Sequence, residues 1–385
     1  MKTALVNARV FTGDRWLEKA TVTLDKGIIE TVGTEAKADL SGYKLRDLSG
    51  DMLVPGFIDI QVNGGGGVLF NDQPDIEGIR AIARAHRRFG TTGMLPTLIT
   101  DERSVMTRAI SAMRQALHAK EPGVLGIHLE GPYLNPLRKG VHQESRIRFM
   151  EADALSVITG LEQGKTLITL APERAAPGVI QELVSKGVLV AAGHTAGDYE
   201  DFQRAFREGL SCFTHLFNAM SPLGSREPGA VGAALDHKES WCGLIVDGYH
   251  VHPASLRTAI KAKNPGKMLL VTDAMPTVGS SKDFFELYGQ KIWSREGRCI
   301  TDDGVLAGAD LDMASAVRNS VSLLGLTLDE SLRMASLYPA EFLGLGESYG
   351  RIEKGYEASL VQLSKDIEVQ ECWIRGKDMA ADGIV

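Results

Sequence analysis

Between residues 53 and 345 of this 385-residue chain, eight short apolar runs alternate with helical periods, and four of the runs end at a loop in Glu, His, His or Asp. That rhythm predicts an α/β protein built as a (β/α)8 TIM barrel, since strands alternating with helices form parallel βαβ units. Residues 1–52 and 346–385 read instead as short strands without a long amphipathic helix, which predicts a small β-sandwich domain formed from both chain termini. An open doubly wound sheet is the runner-up for the central part.

In the N-terminal stretch, β-rich runs at 4–7, 21–24 and 28–32 are separated by Gly-Asp and Asp-Lys-Gly turn signals, and at the other end 359–363 and 371–374 read alike. The first barrel strand is predicted over 57–62. Ile76, Ile79, Ile82, Ala83 and Phe89 then mark one helical face, with Gly90 as its expected C-cap. A second strand follows over 92–98, and Val105, Met106, Ala109, Ile110, Met113 and Leu117 line the next helix. Strands three and four are placed at 124–129 and 166–170. Val179, Ile180, Leu183 and Val184 form a short helix stopped by Gly187, before strand five at 188–192. Tyr199, Phe202 and Phe206, ended by Gly209, precede strand six at 212–216; strands seven and eight fall at 244–246 and 268–272. Beyond the barrel, 285–300 reads as a hairpin insertion, and helices are expected over 311–324 and 328–343.

Composition excludes several function classes. With 42 Lys+Arg against 49 Asp+Glu, a net charge of −7 and no polybasic run, nucleic acid is not expected as a partner. The cysteines at 212, 242, 299 and 372 form no CxxC and read as reduced thiols, so a cytoplasmic location is expected. Asn7 and Arg9 interrupt the first apolar run, which lacks the core of a signal peptide, and no run of eighteen apolar residues suggests a membrane span.

The strand ends carry the chemistry. In a parallel barrel the C-terminal ends of the strands meet at one mouth, so Glu130, His194, His215 and Asp273 are expected to converge. Two neutral imidazoles and a carboxylate suit a zinc ion and leave a coordination position for water, which points to a metal-assisted hydrolase with Glu130, His194 and His215 as ligands. Asp273 would face that water as general base, or else simply N-cap the next segment. His142, in a polar loop after strand three, either polarises a substrate carbonyl or is solvated. Arg226 and His250, on loops after strands six and seven, read together as an anion site, Arg offering the planar fork suited to phosphate; an isolated Arg is otherwise a solvated charge. His250-x-His252 is a weak two-histidine metal motif because Pro253 follows at once. The run Gly64 to Gly67 lacks the Lys-Ser/Thr of a phosphate loop, and either lets backbone approach a substrate or is flexible.

Five motifs carry a resemblance: Val54-Pro55-Gly56-Phe57-Ile58-Asp59, His128-Leu129-Glu130-Gly131-Pro132, Gly193-His194, Thr214-His215-Leu216-Phe217-Asn218-Ala219-Met220 and Val271-Thr272-Asp273. Together they resemble the sugar-phosphate deacetylases of the amidohydrolase superfamily, over essentially the whole chain. The resemblance implies metal-dependent hydrolysis of the acetamide of N-acetylglucosamine 6-phosphate to glucosamine 6-phosphate and acetate. Its rivals are deacetylation of N-acetylgalactosamine 6-phosphate or another N-acyl amine, and a non-catalytic scaffold. It also implies a metal on Glu130, His194 and His215, Asp273 as the catalytic acid/base, and substrate contacts at Val141, His142, Asn218, Ala219, Arg226, His250, Leu306, Ala307 and Gly308. The phosphate would lie near Arg226 and His250, with Arg226 reaching the neighbouring subunit's site in a homodimer. Many amidohydrolases carry His-x-His at the end of strand one, where this chain has Gln61-Val62-Asn63. Amides ligate zinc poorly, so one divalent ion per subunit is expected, Zn2+ by preference, with Gln61 and Asn63 holding water or at most a weak second ion.

Overall fold

The computed structural model describes residues 2–34 and 39–379, so Met1, 35–38 and the end of the expected terminal domain, 380–385, lie outside the described residues. Eight parallel strands pair in chain order: Phe57–Val62, Thr91–Ile99, Gly126–Glu130, Lys165–Leu170, Leu189–Ala192, Cys212–Phe213, Trp241–Leu244 and Met268–Leu270. Beyond the last strand the barrel closes on the first. Asp273 N–H donates to the Gln61 carbonyl at 3.0 Å and Asn63 N–H to the Ala274 carbonyl at 2.9 Å. The sheet is therefore a closed barrel, not the open alternative.

Only the first strand matches its predicted span residue for residue, and three strands end two or more residues before the predicted end. Strand six stops at Phe213 and strand eight at Leu270, short of the expected 216 and 272, and strand seven runs over Trp241–Leu244 instead of 244–246. Ladder hydrogen bonds with the neighbour, not apolarity, decide where a strand ends. Leu216, Ile245, Val246 and Val271 are buried all the same, which is why the apolar runs read as longer strands.

The helices follow their local signals. Asp75 caps helix Ile76–Arg87 by accepting from Gly78 N–H at 2.8 Å. That helix closes on Arg88, while Gly90 takes φ +85° two residues later, in the turn into strand two. Helix Tyr199–Glu208 opens on a reciprocal Asp198/Asp201 capping box and ends on Gly209, whose φ of +103° is easy only for glycine. Its fully buried Phe202 packs 5.6 Å from the Phe213 ring, a burial worth about 2–3 kcal/mol. The helix expected over 328–343 is divided at Ser336 into Leu328–Ala335 and Leu337–Phe342. Pro339 lacks the N–H that a continuous helix would aim at the carbonyl of Ala335, and its ring would clash there. The expected hairpin is a four-stranded antiparallel sheet, Phe284–Leu287, Gln290–Arg295, Arg298–Ile300 and Leu306–Ala309. Its last strand bridges back to the barrel at Ala274.

Both termini join in one further sheet. Strands Thr3–Phe11, Trp16–Asp25, Ile28–Gly33, Lys44–Asp47 and Met52–Pro55 pair with Leu360–Leu363, Val369–Ile374 and Lys377–Asp378. Leu5, Val10, Val22, Leu24, Leu360 and Trp373 form a core of its own. Met52–Pro55 straddles the expected division at 52/53 and hands the chain directly to the first barrel strand.

Inside the barrel, a layer of buried polar side chains lies where branched apolar ones are usual. His128 Nε2 contacts Thr169 Oγ1 at 2.7 Å, which contacts Thr214 Oγ1 at 2.6 Å; Asp59 accepts from the Thr272 hydroxyl. Burial lowers His128 to about 4, so the imidazole stays neutral.

Candidate active site

Glu130, His194 and His215 meet just above that polar layer. Glu130 Oε1 lies 3.2 Å from His194 Nε2 and 3.0 Å from His215 Nε2, and the two nitrogens are 3.1 Å apart. All three residues are buried. His194 Nδ1 is 2.8 Å from the Arg138 carbonyl, which only accepts, so Nδ1 carries the proton and Nε2 of the neutral ring presents a lone pair. Two imidazole nitrogens and a carboxylate oxygen converging on one point form a donor set that a divalent cation fits. Burial opposes the Glu130 charge, yet the two imidazoles more than offset it and hold the carboxyl well below its ordinary range.

The backbone at these positions is unusual. His194, His215 and Asp273 adopt φ of +47°, +34° and +53°. The left-handed region costs a residue with a Cβ on the order of 1 kcal/mol, and such strain gathers at functional sites. Each strand thereby turns sharply, aiming its side chain into the mouth rather than along the wall. Gly131 plays a matching part, because at φ +88° an added Cβ would lie 2.3 Å from Thr100 Oγ1. Only glycine lets the loop after Glu130 pass that close.

Asp273 is held across the barrel seam. Its Oδ1 accepts from Asn63 Nδ2 at 2.6 Å and from Gln61 Nε2 at 3.1 Å, while Gln61 Nε2 also lies 3.2 Å from Glu130 Oε2. Among the described residues Oδ2 accepts no hydrogen bond. Burial, with the nearby Glu130 charge, raises the Asp273 carboxyl above its ordinary value. Asp273 caps no helix, so the N-cap alternative falls away.

His142 is buried rather than solvated, and its ring stands 4.3 Å from that of His194. The backbone N–H of Thr100 donates to His142 Nδ1 at 3.3 Å, and the Thr100 hydroxyl lies 2.8 Å from the same nitrogen. A backbone N–H only donates, so Nδ1 is the acceptor and Nε2 carries the proton. Burial, then the neighbouring His194, lowers the ring to about 3, so it acts as a neutral donor.

Around this centre lies a cavity of about 190 Å³ lined by Asn63, Val141, His142, Asn218, Ala219, His250, Leu306 and Gly308 as well as the four strand-end residues. His250 is oriented by Asp247, whose Oδ2 sits 2.5 Å from Nδ1, leaving Nε2 for a ligand. Two expected contacts are not brought to the cavity within this chain. Ala307 is buried in the core of the four-stranded sheet, and Arg226 is exposed on the loop after strand six. His252 does not join His250, because its Nδ1 caps helix Pro253–Ala262. The glycine run packs against 274–278, with Gly64, Gly66 and Gly67 N–H groups bonded to the carbonyls of Ala274, Val278 and Pro276, so close packing accounts for it. Sequence reasoning missed Thr100 and Asp247. The Asp-Gly-Tyr-His spacing of Asp247 and His250 offered a local signal, whereas Thr100 lies 42 residues from His142 and offered none.

Comparisons with known proteins find relatives over nearly the whole chain. The sequence profile described as "Amidohydrolase family" matches residues 52–379. An N-acetylgalactosamine-6-phosphate deacetylase of Shewanella sp. is 42% identical over 96% of this chain and 94% of its own length. An N-acetylglucosamine-6-phosphate deacetylase of Haemophilus influenzae is 36% identical over 98% of this chain and 99% of its own. Among solved structures, the N-acetylglucosamine-6-phosphate deacetylase of Pasteurella multocida superposes with a TM-score of 0.94 at 36% identity, covering 98% of this chain and 99% of that one. A mutant of the Mycobacterium smegmatis enzyme in complex with N-acetyl-D-glucosamine-6-phosphate superposes at 0.89 with 30% identity, over 98% of this chain and 99% of that one.

Proposed function

The chain belongs to the amidohydrolase family, whose members bind a metal, and from that membership and the site we propose that it hydrolyses the acetamide of N-acetylglucosamine 6-phosphate, releasing glucosamine 6-phosphate and acetate. The observation that carries the reading is the convergence of Glu130, His194 and His215 beside a buried Asp273 with one free carboxylate oxygen. One divalent ion, Zn2+ by its match to two imidazoles and a carboxylate, would be held by the three ligands and would supply Lewis acidity, lowering the pKa of a water toward ~7.

The residues then divide the work. Gln61 and Asn63 fix Asp273 Oδ1, so Oδ2 accepts the proton of the attacking water. As the water oxygen bonds to the acetyl carbon, His142 Nε2–H donates to the carbonyl oxygen, where negative charge develops. Protonated Asp273 passes its proton to the amine nitrogen as the C–N bond breaks. His250, oriented by Asp247, and Arg226 would hold the phosphate; Arg226, exposed on its own chain, would do so from a partner subunit, and a homodimer is proposed on that ground. Gln61 and Asn63 are already committed to Asp273, which argues for one resident ion. No helix of the described residues is long and apolar enough to cross a membrane. All four cysteines are buried and unpaired, consistent with a reducing, cytoplasmic setting.

The galactosamine epimer is the second reading, favoured by the 42% identity to the Shewanella deacetylase. Acetate release from N-acetylglucosamine and N-acetylgalactosamine, each with and without 6-phosphate, tests both. Turnover of neither 6-phosphate would sink the assignment and leave another N-acyl amine substrate or a non-catalytic scaffold.

A further inference from the structure

Away from the mouth, a concavity of about 730 Å³ opens between the terminal domain and the barrel. Its walls carry Lys26, Lys44, Arg46, Lys120, Arg375 and Lys377, six cations against the single acid Asp378, in a chain whose net charge is −7. Five of them belong to the terminal domain: Lys26 on the turn after Trp16–Asp25, Lys44 and Arg46 on strand Lys44–Asp47, Arg375 on the turn between the last two strands and Lys377 on the last strand. Lys120 alone comes from the barrel, just past helix Arg103–His118. Arg46 pairs with Glu371 and Arg375 with Glu357. The four lysines are exposed and make no ion pair among the described residues.

Folding brings like charges together here at an electrostatic cost, and a concave wall of one sign focuses its field into the space it encloses. The backbone adds a second observation. Lys26, Lys120 and Arg375 all adopt left-handed φ, of +49°, +54° and +51°. Lys26-Gly27 and Arg375-Gly376 each have positive φ at both residues, and an added Cβ on Gly376 would lie 3.6 Å from the Gly27 Cα, so the two turns abut. Asn, Asp or Gly would hold the first position of such turns with less steric strain. The same paired left-handed turn occurs at Ser49-Gly50, Tyr288-Gly289 and Glu296-Gly297 away from the cleft, so the backbone alone marks no ligand; what it does here is place a long cation from each of two abutting turns on the wall of the cleft.

We propose that this interdomain cleft is a binding site for a small metabolite bearing two phosphate groups, separate from the catalytic cavity. Four unpaired ammonium groups can neutralise the roughly four negative charges of such a molecule near pH 7. Lys120 on one wall and the terminal-domain cations on the other would each face a phosphate, so binding ties the two domains together.

Titration calorimetry of the metal-loaded full chain with fructose 1,6-bisphosphate tests the site, beside the Lys26→Ala/Lys120→Ala/Lys377→Ala variant. Binding at one equivalent per chain, weakening as salt rises, and about tenfold or more weaker in the variant is the expected result. The variant should keep wild-type acetate release, since none of the three lysines lines the catalytic cavity. Equal affinity in both proteins would place the ligand elsewhere, the catalytic phosphate subsite included, and overturn the proposal; so would no binding to wild type at millimolar concentration. Should the triple variant not fold, the single exposed-turn change Lys26→Glu carries the same comparison, with a severalfold loss expected and an unchanged affinity overturning it.

Discussion

Asn63 Nδ2 stands 2.6 Å from Asp273 Oδ1, joining the end of the first barrel strand to the loop after the eighth across 210 residues of sequence. The contact occupies the position where many amidohydrolases carry a histidine, and it leaves Asp273 with one oxygen for proton transfer. Asp273→Asn keeps the shape but removes the proton acceptor, so turnover should fall by about 10³- to 10⁴-fold while metal content survives. Glu130→Gln and His194→Ala should instead purify metal-poor. Metal analysis beside single-turnover kinetics separates the two classes; an Asp273→Asn protein without metal, or one within a few-fold of wild-type rate, contradicts the assigned role.

His142→Ala should lower kcat by about 10²- to 10³-fold with little change in KM, as expected of a donor whose hydrogen bond strengthens with the developing charge. Thr100→Val keeps the backbone N–H that sets the tautomer and removes only the hydroxyl, so its loss should be smaller. Steady-state kinetics of both variants check this. The ranking reversed would mean that the hydroxyl, not the ring, is what acts.

Arg226→Ala should raise KM for the 6-phosphate substrate about tenfold or more and leave kcat nearly unchanged, because the phosphate is remote from the breaking bond. Its exposure on its own chain ties this effect to assembly. Sedimentation at assay concentration should show a dimer, and a monomer with wild-type KM would remove Arg226 from the site.

Asp59 gives stability a pH dependence of predictable sign. It is fully buried, and burial, against hydrogen bonds from Thr272 and Gln61, raises its carboxyl to about 7 from 3.8. The folded chain thus binds a proton that the unfolded chain has lost, so this contribution is full below about 3.8 and is lost as pH rises through about 7. It amounts to roughly 4 kcal/mol at most. Asp59→Asn mimics the protonated acid without titrating: its oxygen still accepts from the Gln61 and Thr272 N–H groups, while its amide nitrogen donates to the Thr272 hydroxyl. Urea unfolding of both proteins between pH 5 and 8 should show the wild type losing ground to the variant as pH rises, and a constant difference would rule out the shift.

The sequence by itself determined the order of the eight barrel strands, the first of them to its end residues, and the acids and imidazoles at the strand ends. Those follow from local periodicity, from glycine stops such as Gly209, and from motifs a few residues long, all of which are written within one turn of helix or one strand. It misjudged strands six to eight because buried apolar residues continue past the point where the ladder stops, and it joined two helices because the period of 328–343 hides the break before Pro339. What only the tertiary structure decided are relationships across the barrel: Asn63 with Asp273, Thr100 with His142, the exclusion of Arg226 and Ala307 from the cavity, and the cations gathered between the domains. Their partners lie tens to hundreds of residues apart, and what brings them together is the stagger of parallel strands and the closure of the seam at Gln61, Asp273 and Ala274. Left-handed φ at His194, His215 and Asp273 belongs to the same class: His and Asp tolerate it better than most residues, but their identity does not say where it occurs, and the packed barrel mouth makes it worth its strain.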